Sequence, residues 1–323
     1  MGALALLTSC STVPREPAIS LASAGQQVST SAHASIAGLA ATVDANAQLL
    51  LVENAISNQQ VESMDDETNA ALFKSSLRLS QLIQLRAQAL AGLAAAYRAL
   101  EDDARYDEPG AVAPAVDALA RQATAFASLA GVGPASATML ATEIAKRAAV
   151  QGAASAQKAR LIAASRQINA ANKLITAAIG KEAALYAKVA ASLGLDRANF
   201  IKALTAAKVL QPEDQDIVLR QFLKDQGLQP AASLPPAAVG YAVPTILGYR
   251  AWMASNAGEN IYAAQIQALS DLQAQHVAFE AGQPVSLADI NTALAQLSGW
   301  VTLFDDYRAQ SAAEAAARVG EPK

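Results

Sequence analysis

The sequence predicts an all-α fold: an elongated up-and-down bundle of long antiparallel helices, with a helical hairpin protruding from one end. Three observations carry that expectation. Alanine supplies about a quarter of the 323 residues and aromatics only 5%, a mixture suited to helices packed through small side chains and poorly suited to sheets. Apolar residues recur at helical spacing along most of the chain, and no alternating strand pattern is found. Turn residues separate the periodic segments at short intervals, which makes successive helices antiparallel neighbours.

Composition excludes several classes. A 53% hydrophobic fraction with 16% charged residues is too apolar for a disordered chain. A formal charge of −4 and a pI near 5.3 leave no basic face for nucleic acid. One cysteine and two histidines supply neither a disulfide framework nor a transition-metal ligand set.

The first helix is expected over about 18–57. Val28, Ala32, Ile36, Leu39, Val43, Ala47 and Leu50 recur with a repeat of about eleven residues, nearer to straight packing than to a heptad. Asp65, Asp66 and Glu67 mark the next helix start, where carboxylates complement the N-terminal dipole. The second helix runs to about 103 on a heptad seam of Leu72, Ser76, Leu79, Ile83, Arg86, Leu90, Leu93, Tyr97 and Leu100. Arg86 falls on that seam, so it needs a carboxylate partner or a route to water.

Glu101, Asp102, Asp103, Asp107 and Glu108 precede the turn Pro109-Gly110. A shorter helix follows with Val112, Val116, Leu119, Ala123 and Phe126 on one face, and Gly131-Val132-Gly133-Pro134 reverses the chain. The hairpin is thus 111–150. The pattern continues to about 193 through Leu161, Ser165, Ile168, Asn172, Ile175, Ile179, Tyr186, Val189 and Leu193, with Gly152 as the expected bend. Asp196 and Pro212 look like starts of two short helices, the second closing near Gly227. Residues 229–244 hold four prolines and no charge, which predicts a loop or broken segment. A long helix is expected over 245–281. The last opens at Ser286, buries Ile290, Leu294, Leu297, Val301 and Phe304, and ends near 317. One domain, 18–317, accounts for the whole pattern, followed by a tail at 318–323.

The search for chemistry assigns no catalytic, cofactor or metal residue. His33 and His276 lie on different expected helices with no ligand pair at metal spacing, so both are expected at the surface or its boundary. Gly131-Val132-Gly133-Pro134 lacks the strand and lysine of a phosphate loop. Ser155-Ala156-Gln157-Lys158 matches Ser-x-x-Lys of penicillin-recognising enzymes in form alone, since the companion Ser-Asp-Asn and Lys-Thr-Gly elements are missing. The carboxylate clusters at 65–67 and 101–108, and the pair Asp305-Asp306, are expected to be solvated helix ends. Residues 122–142 are uncharged over a membrane-spanning length, but the Gly-Val-Gly-Pro interruption speaks against a span.

Contact surfaces are the remaining candidates. Tyr241, Tyr249, Trp252 and Tyr262 are concentrated in an otherwise aromatic-poor chain. They predict a thicker core layer, or a partner or membrane contact through Tyr241, Tyr249 and Trp252. Val132 sits at an uncharged hairpin apex and is a second such candidate.

The N-terminus carries an address. A short apolar run, Leu4 to Leu7, ends in small residues before Cys10, as a secretory h-region meets its cleavage site. The tetrad Leu7-Thr8-Ser9-Cys10 resembles the bacterial lipobox, although no Lys or Arg precedes the run. The resemblance implies removal of residues 1–9, lipidation at Cys10 and a tether over 10–17. Ser11 at the next position, in place of aspartate, implies the outer membrane. The expected function is a non-enzymatic, lipid-anchored envelope scaffold that binds a protein partner and needs no cofactor, with its oligomeric state open. The alternative is a helical pore-forming or membrane-remodelling protein using the uncharged hairpin. A third reading is an enzyme working through Arg86, Asn172, Glu182 and Tyr186 in the bundle core.

Overall fold

The computed structural model describes residues 15–58, 67–135, 138, 140–143, 145, 157–191, 193–211 and 215–317. The lipobox-like segment with Cys10, the pair Asp65–Asp66, the bend expected at Gly152, Ser155, Pro212 and the tail after 317 lie outside them. Helices dominate, with no strand among the described residues. In chain order they are α1 (Arg15–Ala34), α2 (Ile36–Asn58), α3 (Glu67–Tyr106), α4 (Val112–Ala130), α5 (Gln157–Ala190), α6 (Leu193–Ala206), α7 (Asp216–Asp225), α8 (Pro236–Glu280) and α9 (Ala288–Ala317). The all-α bundle is therefore the fold.

The centre is built from α3, α5 and α8, each of which packs on helices at both sides. The α3 seam from Ser76 to Leu100 is buried at every position the heptad marks. Leu90, Leu93, Ile175 and Ile179 are fully enclosed, and burying a side chain of that size contributes about 1.5–3 kcal/mol. Leu50, Val189, Leu294 and Val301, expected in the core, are half-buried at its edge. A second, smaller cluster gathers Ile201, Val218, Val239, Val243 and Leu247 where α6 and α7 cover the first turns of α8.

Four expectations are corrected. The 18–57 helix is interrupted at Ser35, which turns its hydroxyl back onto the Ala32 carbonyl at 2.9 Å. A serine bond to its own backbone competes with the helical ladder and bends it.

The first arm of the expected 111–150 hairpin does not stand apart from the bundle, while residues 146–150 and several before them lie outside the described residues. Val112, Val116, Leu119, Ala123, Phe126 and Ala130 are buried, because α4 lies along both α3 and α5. The apex ends beside Arg78, which donates to the Leu129 carbonyl at 3.1 Å. Since α3 begins at Glu67, it runs on past that level. Gly131 takes φ 76°, and the amides of Gly131 and Val132 bond back to Ser128 and Ala127, a left-handed helix stop that only glycine adopts without strain.

The expected 229–244 loop is half helix. Pro236 occupies the first turn of α8, where its missing N–H costs nothing. The helix continues through Pro244 because Val239, Val243 and Leu247 are held in the small cluster. Finally, α6 begins at Leu193, with Asp196 in its first turn rather than before it.

Glycine sets the α6–α8 crossing. A Cβ on Gly248 would lie 2.7 Å from the Gly194 carbonyl oxygen, and one on Gly194 2.8 Å from the Gly248 oxygen. The two backbones touch, which no residue with a side chain permits.

Candidate functional site

Polar residues meet in three places inside the bundle. The central one begins at the α1–α2 break. The carbonyl of Ala32 and the hydroxyl of Ser35 point inward, and Gln265 of α8 donates to both, at 3.1 and 2.6 Å. That fixes the amide, whose oxygen accepts from Arg86 Nη1 at 3.0 Å. Arg86 Nη2 lies 3.4 Å from Glu182 Oε1, with neither side chain exposed. Tyr262 donates to the same carboxylate oxygen at 2.6 Å, and its ring lies 4.7 Å below the guanidinium, a cation–π contact. Tyr186 packs against Tyr262 with ring centroids 5.2 Å apart and planes tilted by 46°.

Electrostatically this is a charge pair taken out of water. Burial raises the Glu182 carboxyl above the usual range, while Arg86 and the Tyr262 hydroxyl pull it back down. Burial also raises both tyrosines, so both hydroxyls stay protonated at physiological pH, and that of Tyr262 is the donor to Glu182. The heptad seam required a carboxylate or a route to water for Arg86, and α5 supplies the carboxylate. Tyr262, expected in a core layer, is buried there; Gln265 was missed, although its spacing of three from Tyr262 on a buried stripe of α8 was a usable signal. Of the four polar residues weighed as an enzyme site, Arg86, Glu182 and Tyr186 come together. Asn172 lies about 15 Å further along α5 and donates to the Leu269 carbonyl at 3.0 Å.

The second cluster corrects the expectation for His276. This residue is fully buried, with Nε2 2.7 Å from the Tyr97 hydroxyl and Nδ1 2.7 Å from Ser165 Oγ. In either tautomer the neutral ring donates once and accepts once, and each hydroxyl supplies the complementary role. Burial lowers the imidazole to about 3, assisted by Lys173. His33, by contrast, is exposed as expected.

The third cluster corrects the picture of a wholly solvated acidic end. Asp103 is buried because α3 continues through it to Tyr106, and Arg160 of α5 pairs with it at 3.2 Å. Arg160 also pairs with Asp107. Gln157 donates to the Asp103 carbonyl and accepts from Arg15 at 3.0 Å, so the start of α1 is tied to this end. Arg166 and Glu280, 3.2 Å apart, bring the α8 C-terminus alongside.

The candidate contact residues separate. Val132 is half-buried against the main core, so it belongs to the helix stop rather than to a bare apex. Tyr241, Tyr249 and Trp252 are 77%, 57% and 50% exposed. Steps of eight and eleven residues keep them on one side of α8, and Tyr249 and Trp252 lie ring to ring at 6.0 Å. Trp252 belongs to the α6–α8 crossing too, since its own Cβ would lie 2.9 Å from one added to Gly194.

Among the described residues, no three His, Cys, Asp or Glu side chains gather as metal ligands. One helical stretch, Arg15–Asn58, is long and apolar enough to cross a membrane by length and composition. No protein-family model, curated protein or solved structure matches the chain.

Proposed function

We propose that the chain is a non-enzymatic, lipid-anchored envelope protein whose bundle presents a protein-binding face far from its anchor. The observation that carries this reading is the placement of Tyr241, Tyr249 and Trp252. They stand exposed on the N-terminal half of α8. The start of α1 lies instead near the α8 C-terminus, at the end where Arg15, Gln157 and Asp103 meet. From Trp252 to the end of α8 is about 40 Å of helix. A chain lipidated at Cys10 would therefore hold its aromatic face away from the bilayer, available to another protein. Aromatic side chains with polar tips are the residues that interfaces favour.

The buried polar clusters support a structural role for the residues in them. Arg86, Glu182, Tyr262 and Gln265 engage one another across α3, α5 and α8 and fix how these helices register. Partnered groups of this kind select one alignment among many that an alanine-rich core would tolerate.

Fractionation of a bacterial host tests the anchor. The native chain is expected with the outer membrane and to carry acyl mass. Cys10→Ser should be soluble, with unchanged helix content. A Cys10→Ser chain that stays with the membrane, beside a native chain without acyl mass, would overturn the reading.

The apolar stretch Arg15–Asn58 favours the pore-forming alternative. That reading predicts dye release from liposomes by the native chain, whereas the scaffold predicts intact vesicles.

A further inference from the structure

We infer that the exposed stripe of α8 pairs with the same stripe of a second copy of the chain, antiparallel and two-fold symmetric about Thr245. This rests on the reading of that face as a protein-binding surface and names its partner. The stripe consists of Ala238, Tyr241, Thr245, Tyr249, Trp252 and Glu259, all exposed. At about 3.6 residues per turn they fall within an arc of about 80°, with Thr245 near its centre.

Charge selects both the partner and the direction. Between Gly227 and Glu259 the only charged residue is Arg250, which is buried. A chain of net charge −4 repels its own copy, so two copies approach best where neither presents a charge. A parallel pair would set Glu259 against its own image. In the antiparallel pair centred on Thr245, Glu259 falls beyond the start of the second copy's α8, which opens at Pro236.

Size gives the same answer. Positions at equal steps on either side of Thr245 face each other, so Tyr241 meets Tyr249 and Trp252 meets Ala238, and symmetry makes each contact twice. Two tyrosine rings stack, and a large ring opposite a methyl group interdigitates. Helices in contact lie about 8–10 Å apart, and each Cα stands about 2.3 Å from its axis. The two Thr245 Cα atoms then come to about 5 Å from one another at the wider spacing.

One stripe is much smaller than the about 20–30 residues a side of a standard interface. The pair is therefore weak in solution and depends on the anchor to concentrate it. Antiparallel order sends the anchor ends of the two copies in opposite directions, about 100 Å apart along α8. The pair thus joins chains held in facing membranes.

Disulfide trapping with copper–phenanthroline tests the geometry. The full chain carrying Cys10→Ser has no other cysteine, so one added thiol reports one position. Thr245→Cys is expected to form a covalent dimer, since its Cα spacing suits a disulfide. Val277→Cys is exposed on the same helix and should stay monomeric, because its mirror position lies beyond the second copy's α8. Mixed Tyr241→Cys and Tyr249→Cys chains should form the mixed dimer in preference to either homodimer. Tyr249→Ala added to Thr245→Cys removes two ring contacts and should slow trapping about tenfold, with unchanged circular dichroism.

The pairing is overturned by no Thr245→Cys dimer at submillimolar concentration, by equal trapping at Val277→Cys, or by Tyr241→Cys homodimers in preference to the mixed dimer. A cellular photocrosslink from position 249 to a protein of another mass, with no Thr245→Cys dimer, overturns the pairing and keeps the protein-binding face. No crosslink of any mass from that position in a correctly localised chain overturns both.

Discussion

Arg86 and Glu182 face each other at 3.4 Å across the α3–α5 contact, and water reaches neither side chain. Such a pair stabilises little over an apolar pair of the same shape, but losing one partner leaves a bare charge in the core. Glu182→Ala should therefore cost about 3–5 kcal/mol in denaturant unfolding. Arg86→Met combined with Glu182→Leu should recover most of that loss. A double variant as unstable as the single one would show that the pair contributes net stability rather than alignment.

His276 gives stability an acid dependence whose sign follows from its site. The folded imidazole protonates near 3 and the unfolded one near 6.5. Between those values the unfolded chain binds the extra proton, so lowering pH favours unfolding. The slope reaches about 1.4 kcal/mol per pH unit, and above pH 6.5 the contribution vanishes. His276→Asn should lose this dependence. Urea midpoints of the two proteins should converge as pH falls from 7.5 to 4.5, and parallel midpoints would contradict the buried neutral ring.

Two glycines of α8 should respond oppositely to alanine. A Cβ on Gly248 would meet the Gly194 carbonyl at 2.7 Å, and backbone does not yield as a side chain does, so Gly248→Ala should cost about 1–3 kcal/mol. Gly240 has nothing within 4 Å of a Cβ and is not at positive φ. Gly240→Ala should raise stability by about 0.5–1 kcal/mol through lower unfolded-state entropy. Thermal unfolding of the pair reads both signs.

Much of this was legible residue by residue, because helical burial is periodic. The α3 seam shows it best: Leu79, Ile83, Arg86, Leu90, Leu93, Tyr97 and Leu100 are buried as spaced, and the charge at Arg86 required a carboxylate or a route to water. Which carboxylate was not legible, since periodicity describes one helix at a time. The same limit applies to the hairpin. Phe126 and its neighbours announced a face to be buried, but not that α3 and α5 would cover it. His276 was misjudged by residue type, although Leu272, His276 and Phe279 follow core spacing. The break at Ser35 was hidden because the apolar pattern runs through it unchanged.

We propose that a protein partner docks on the exposed aromatic face of α8 while the chain is held at its other end. Site-specific photocrosslinking in intact cells tests it most directly. The probe would replace Tyr249 on that face and, as the comparison, Arg105 at the anchor end, both of which are exposed. A discrete adduct of one mass is expected from position 249, absent from position 105, and lost when Cys10→Ser releases the chain. Equal adducts from both positions, or none from position 249 in a correctly localised chain, would contradict docking on this face.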